Sequence, residues 1–131
     1  MLKSGLVKDY MSAHLVAFSP DMGVLQAISM LVKKRISGAP VIDKRGNLIG
    51  MLSEADCLKI AFSTSYHAET AGNVAEYMQS NVETVDADAS IVEVAAQFLR
   101  EGHRRYPVLK DNRLVGQISR RDVLKALETL R

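Results

Sequence analysis

A chain of 131 residues, 47% apolar and 24% charged, carries enough apolar residues for one ordinary core or two small ones and is not a disordered polymer. Its net charge of +2 is too weak to argue for nucleic acid, and no apolar run approaches the roughly 20 residues that span a bilayer. The opening "MLKSGLVKDYMSAH" lacks the apolar core of a secretion signal, and the single cysteine, Cys57, excludes an internal disulfide framework, so a cytoplasmic protein with no membrane or nucleic-acid partner is expected.

Taken in chain order, "HLVAF" (14–18) is short, branched and bounded by turn formers, which predicts a strand. Residues 23–36 place Leu25, Ile28, Leu31 and Val32 at helical spacing. "APVID" (39–43) and "NLIGML" (47–52), separated by "KRG", read as a hairpin, and a helix is expected from about Ser53. The polar stretch "STSYHAETAGN" (63–73) reads as a linker. The series then starts again: a strand in "NVETV" (81–85), then a helix over 90–103 with Ile91, Val94, Ala95, Phe98 and Leu99 at helical spacing. Ser90 and Glu93 form a capping-box pattern at its start. A hairpin of "YPVLK" (106–110) and "RLVGQIS" (113–119) turns at "DN", and a last helix begins at about Ser119.

The chain is therefore written twice. Val7, Tyr10, Met11 and Asp21 fall on Val74, Tyr77, Met78 and Asp88; Pro40, Val41, Gly50, Ser53, Asp56 and Lys59 fall on Pro107, Val108, Gly116, Ser119, Asp122 and Lys125. The fold class expected is α+β: two tandem β-α-β-β-α repeats, 1–66 and 67–131, each with a right-handed crossover between parallel strands. A unit of about 60 residues buries too small a share of its surface to stand alone, so the repeats should pack together with pseudo-twofold symmetry and leave two related clefts.

The duplicated unit, the "xPV" strand and the Gly-hydrophobic-x-Ser-x-x-Asp signature, found as "GMLSEAD" (50–56) and "GQISRRD" (116–122), resemble the cystathionine-β-synthase (CBS) domain pair, or Bateman module, from about Val7 to Leu130. The resemblance implies a stand-alone pair that binds adenine-containing ligands in the clefts between copies and forms a homodimer.

Taken alone, Ser-x-x-Asp is a helix cap, with Ser at the N-cap and the carboxylate answering the dipole. The second copy adds Arg120 and Arg121 in the first helical turn, where the macrodipole disfavours cations. It also has Arg104 and Arg105 just before the strand that lies beside that helix start. Four arginines at a helix N-terminus suit phosphate oxygens, and Asp122 suits ribose hydroxyls. The competing reading leaves the arginines solvated, or paired with acids across a dimer interface. The first copy keeps Ser53 and Asp56, but Glu54 would repel phosphate and Ser37–Gly38 replace the arginines. Asymmetric occupancy is expected: a strong site at Asp122 and a weaker, nucleoside-like one at Asp56.

By resemblance, Ser119, Asp122 and the four arginines are joined at the strong site by Met11, Ser12 and Ala13 and by Ser37, Gly38 and Ala39. Ser53 and Asp56 are joined at the weaker one by Met78, Gln79, Ser80, Arg105 and Tyr106. Gly38 reads equally as a helix terminator. His14, His67 and His103 are too scattered for a metal site, His103 reads as an exposed helix-end residue, and Cys57 as a buried hydrophobe. No nucleophile–base pair or phosphate-transfer loop is present, so no enzyme is expected and no cofactor is required.

The expected function is a sensor of AMP, ADP or ATP acting on an unidentified regulated protein or on its own oligomeric state. NAD fits the same chemistry, and the arginines disfavour S-adenosylmethionine. The alternative is a ligand-free dimerisation scaffold with vestigial sites.

Overall fold

A computed structural model describes residues 5–62 and 71–129; most of the expected linker, and His67, lie outside them. The chain forms two compact units, Val16–Val82 on the one hand and Met1–Leu15 with Glu83–Arg131 on the other. Packing thus joins the leading segment of each sequence repeat to the hairpin of the other. The described residues form two small sheets and four α-helices, an α+β fold.

In the Val16–Val82 unit, α1 (Val24–Lys34) leads into β1 (Gly38–Ile42), which pairs antiparallel with β2 (Leu48–Ser53). The turn is set by Asp43, whose Oδ1 accepts the N–H groups of Arg45 and Asn47 at 2.9 Å each, and by Gly46 at φ +87°. A short helix, α2 (Glu54–Leu58), follows directly and runs into a 3-10 turn, Lys59–Phe62. The core gathers Phe18, Ala27, Leu31, Val41, Leu52 and Val74.

The other unit has β3 (Val85–Asp86) parallel to β4 (Arg105–Lys110), which pairs antiparallel with β5 (Arg113–Ser119). The β4–β5 turn holds Asp111 and Asn112 at φ +52° and +67°, the backbone that a two-residue hairpin requires and that Asp and Asn tolerate. Helices α3 (Ile91–Glu101) and α4 (Arg120–Thr129) pack on the sheet over Val7, Ile91, Val94, Phe98, Tyr106 and Ile118.

Four expectations are corrected. The strands expected at 14–18 and 81–85 shrink to a single parallel bridge at Phe18 and to Val85–Asp86, because only their last residues reach a ladder partner: Phe18 N–H donates to Pro40 O at 2.9 Å, and Phe18 O accepts from Ile42 N–H at 2.9 Å. The capping box of α3 is half made. Glu93 N–H donates to Ser90 Oγ at 3.0 Å, but among the described residues Glu93 does not reach back to the Ser90 main chain, which is bridged to Leu6. Gly38 does not end α1; Arg35 does, in the left-handed conformation at φ +56°, and Gly38 opens β1. Finally, the apolar arcs of α1 and α3 are wider than one unit covers. Val24, Ala27 and Leu31 are the buried residues of α1, whereas Val32 is 70% exposed and, on α3, Leu99 88% exposed.

Candidate functional site

The start of α4 is a reciprocal cap. Ser119 N–H donates to Asp122 Oδ2 at 2.9 Å, and Asp122 N–H donates to Ser119 Oγ at 3.1 Å. Oδ1 of Asp122, a half-buried residue, has no protein partner among the described residues, so the motif is a cap with one acceptor oxygen to spare. Alongside runs the segment before the first repeat's strand: Ser12 N–H donates to Gln117 O at 2.8 Å and Gln117 N–H to Ser12 O at 2.9 Å, which lays Met11–Ala13 against β5.

The arginines converge as their order in the chain requires. Arg105 is registered opposite Ser119, and Arg120 N–H donates to Arg104 O at 3.2 Å. Arg120 also turns its Nε–H to His103 O at 2.8 Å. Arg104, Arg105, Arg120 and Arg121 are all exposed, and among the described residues none has a carboxylate partner. The main chain therefore brings four arginines to the start of a ten-residue helix, and among the described residues none of them meets a carboxylate. His103 is exposed at the end of α3, as expected, with its ring 5.3 Å from that of Tyr106.

The equivalent place in the other unit is built the same way and filled differently. Ser53 N–H and Ser53 Oγ–H both donate to Asp56 Oδ2 at 2.9 Å, and Asp56 N–H returns a 3.2 Å bond to Ser53 Oγ. Here Oδ1 is taken as well, by Gln79 Nε2–H at 2.9 Å and Lys59 Nζ at 3.5 Å. Asp56 is only 4% exposed. Burial pushes its carboxyl up, but the hydrogen bonds from Gln79 and Ser53 and the charge of Lys59 outweigh burial and hold it below the usual carboxylate range. Burial, followed by the charges of Asp56 and Glu54, raises the neighbouring Cys57 thiol, in keeping with an inert buried residue.

Of the residues expected at the strong site, Met11, Ser12, Ala13, Ser119, Asp122 and the four arginines belong to one unit; Ser37, Gly38 and Ala39 belong to the other. Of those expected at the weaker site, Ser53, Asp56, Met78, Gln79 and Ser80 share a unit, and Arg105 and Tyr106 belong to the other. The Tyr106 side chain is spent on its own core: it is 1% exposed, donates its hydroxyl to Gln97 O at 3.1 Å and packs 4.6 Å from the Phe98 ring, which leaves only its main chain to offer a ligand.

Sequence reasoning missed two glycines. A Cβ on Gly116 would stand 2.6 Å from Met11 Sδ and 2.8 Å from Ser12 O; one on Gly50 would stand 2.6 Å from Met78 Sδ and 2.9 Å from Gln79 O. These glycines let the leading segments lie on the hairpins, and their place at the head of the shared signature was the available signal.

Comparison with known proteins agrees with the fold and the duplication. The family model described as CBS domain matches twice, over residues 7–63 and 74–129. The uncharacterized protein MJ1225 of Methanocaldococcus jannaschii is 26% identical over 121 residues, covering 92% of this chain; the chain spans 42% of that protein's length. Among solved structures, CBSX2 in complex with AMP superposes with a TM-score of 0.80 at 28% identity, covering 94% of this chain and 96% of that one. The CBS domain pair of protein MJ0100, in complex with 5'-methylthioadenosine and S-adenosyl-L-methionine, gives 0.74 at 25% identity, covering 98% of each chain.

Proposed function

The chain belongs to the CBS domain family, and on that premise we propose that it is a regulatory module that binds an adenine nucleotide, with its stronger site at Asp122. The observation that carries this reading is the spare oxygen of Asp122 beside four exposed arginines that have no carboxylate partner among the described residues. A ribose offers two adjacent hydroxyl donors, and Asp122 Oδ1 can accept them while Oδ2 goes on capping α4. Phosphate oxygens find the guanidinium groups of Arg104, Arg105, Arg120 and Arg121 and the positive end of the α4 dipole. The neighbours with known ligands hold AMP in one case, and 5'-methylthioadenosine with S-adenosyl-L-methionine in the other. The arginines favour the phosphorylated class here: AMP, ADP, ATP or NAD. Occupancy becomes a signal through a regulated partner or through the oligomeric state, and is limited by the ligand's differential affinity for two conformations.

The test is thermal unfolding of the wild type and of Asp122→Ala against AMP, ADP, ATP, NAD and S-adenosylmethionine. A ligand at about 100 times its Kd stabilises by about 2.7 kcal/mol, a shift of several degrees. The expected result is a shift with a phosphorylated ligand that vanishes in Asp122→Ala. If no ligand shifts the wild type and the purified protein carries no nucleotide, the chain is a scaffold with vestigial sites.

A further inference from the structure

The two Ser-x-x-Asp motifs have the same main-chain surroundings, and one of the side-chain differences between them bears directly on the aspartate. In each unit a leading segment bridges the second hairpin strand, Ser12 to Gln117 in one and Gln79 to Met51 in the other, with both N–H to O distances between 2.8 and 2.9 Å. In each, a methionine one residue earlier lies over the signature glycine, Met11 over Gly116 and Met78 over Gly50. Ser12 and Gln79 are thus equivalent positions. A serine hydroxyl oxygen ends one bond beyond Cβ, whereas the glutamine amide nitrogen ends three bonds beyond it. Gln79 uses that reach to place Nε2 at 2.9 Å from Asp56 Oδ1, and the equivalent oxygen of Asp122 is left without a partner among the described residues. Lys59 adds a cation at 3.5 Å from the same Asp56 oxygen, while the equivalent Lys125 makes no ion pair with Asp122.

We propose that Gln79 is a built-in occupant of the second site: its amide sits where a ribose hydroxyl would bind Asp56, and it thereby limits the chain to one adenine nucleotide. This rests on the reading of Asp122 as a ribose acceptor. A tethered amide is present at high effective concentration and has little ordering entropy left to lose, so a nucleoside must displace it before gaining any bond of its own. Gln79 is an exposed residue anchored through its main chain, so its side chain can be exchanged without opening the core. The device selects at the ribose, upstream of any phosphate effect of Glu54.

The experiment is calorimetric titration with AMP of the wild type, Asp122→Ala, Gln79→Ser and Ser12→Gln, each checked for folding by circular dichroism. The wild type should take one AMP per chain and lose it in Asp122→Ala. Gln79→Ser should take a second equivalent. Ser12→Gln, which carries the plug to the other motif, should weaken the first site at least tenfold; because Ser12 is exposed, that arm decides if Gln79→Ser fails to fold. A wild type that takes two equivalents, a folded Gln79→Ser that stays at one, or an unchanged Ser12→Gln overturns the inference and leaves the nucleotide reading standing. A wild type that takes none of AMP, ADP, ATP or NAD at millimolar concentration removes both.

Discussion

Asp56 and Asp122 are the same residue in the same motif, and their hydrogen-bond partners give them different work. Asp56 is a structural carboxylate with both oxygens engaged, and its folded-state pKa is depressed. The unfolded chain therefore binds more protons than the folded one as the pH falls past the ordinary carboxylate value of about 3.9. The stabilisation is complete above that value and is lost as the pH drops through the lower folded-state one. Asp56→Asn should accordingly cost about 1–3 kcal/mol at about pH 7, because charge-assisted bonds are lost. The gap to the wild type should narrow by about pH 3, below the ordinary carboxylate value, where protonation of Asp56 in the unfolded chain draws down the contribution of the charge. Urea midpoints at the two pH values measure this, and an equal gap at both would show that the charge contributes nothing. The paired motif was legible in the sequence because it repeats. The contrast between its copies was not, since it depends on an amide 23 residues from Asp56, and no local pattern announces a contact of that range.

At the scale of elements, the legible parts were those fixed by local chemistry. Hairpins follow from alternation and from turn residues that accept positive φ, as Asp111, Asn112 and Gly46 do here. Helix starts follow from Ser caps at Ser53, Ser90 and Ser119. The stretches 14–17 and 81–84 failed as strands because branched residues favour extended backbone, whereas a strand also needs a neighbour, which only the hairpin edge can supply. The exchange of leading segments between units came from the family resemblance, which joined Met11–Ala13 to Asp122 and Met78–Ser80 to Asp56, and from no local pattern; Gly50 and Gly116 are its local requirement. Gly116→Ala puts a methyl into Met11 Sδ and the Ser12 carbonyl, so the segment must lift from β5. The expected cost is about 1–3 kcal/mol of stability. Nucleotide affinity should fall with it, because Met11–Ala13 flank the cap. Pairing Gly116→Ala with Met11→Ala should recover part of the stability by removing the sulfur, which thermal unfolding of the single and double variants would reveal. No recovery would place the clash on the Ser12 carbonyl alone.

At the scale of the whole molecule, the question is what covers the apolar surface that each unit leaves bare. On one unit, α3 and α4 flank a groove of about 350 Å³ walled by Phe98, Val123 and Leu127, with Leu99 88% and Leu124 66% exposed at its rim. On the other, α1 and α2 flank a groove of about 410 Å³, with Val32 70% and Leu58 68% exposed, and Phe62 in the following turn 89% exposed. Single exposed leucines are ordinary, but a repeated stripe on the helices of both units is the pattern of a surface that is buried in an assembly. Among the described residues no helix is long and apolar enough to cross a membrane. A second copy of the chain offers the same stripes to itself, as an isologous interface requires. The wild type is therefore expected to be a dimer by light scattering on a sizing column. Leu99→Lys with Leu124→Lys should give a folded monomer, since both side chains are mostly exposed in the single chain and each charge would be desolvated in the interface. If the double variant stays dimeric, the contact lies on other surfaces. If it becomes a monomer whose AMP-induced thermal shift matches that of the wild type, recognition and assembly are separate properties of the chain, and a nucleotide signal must pass through shape rather than through dimerisation.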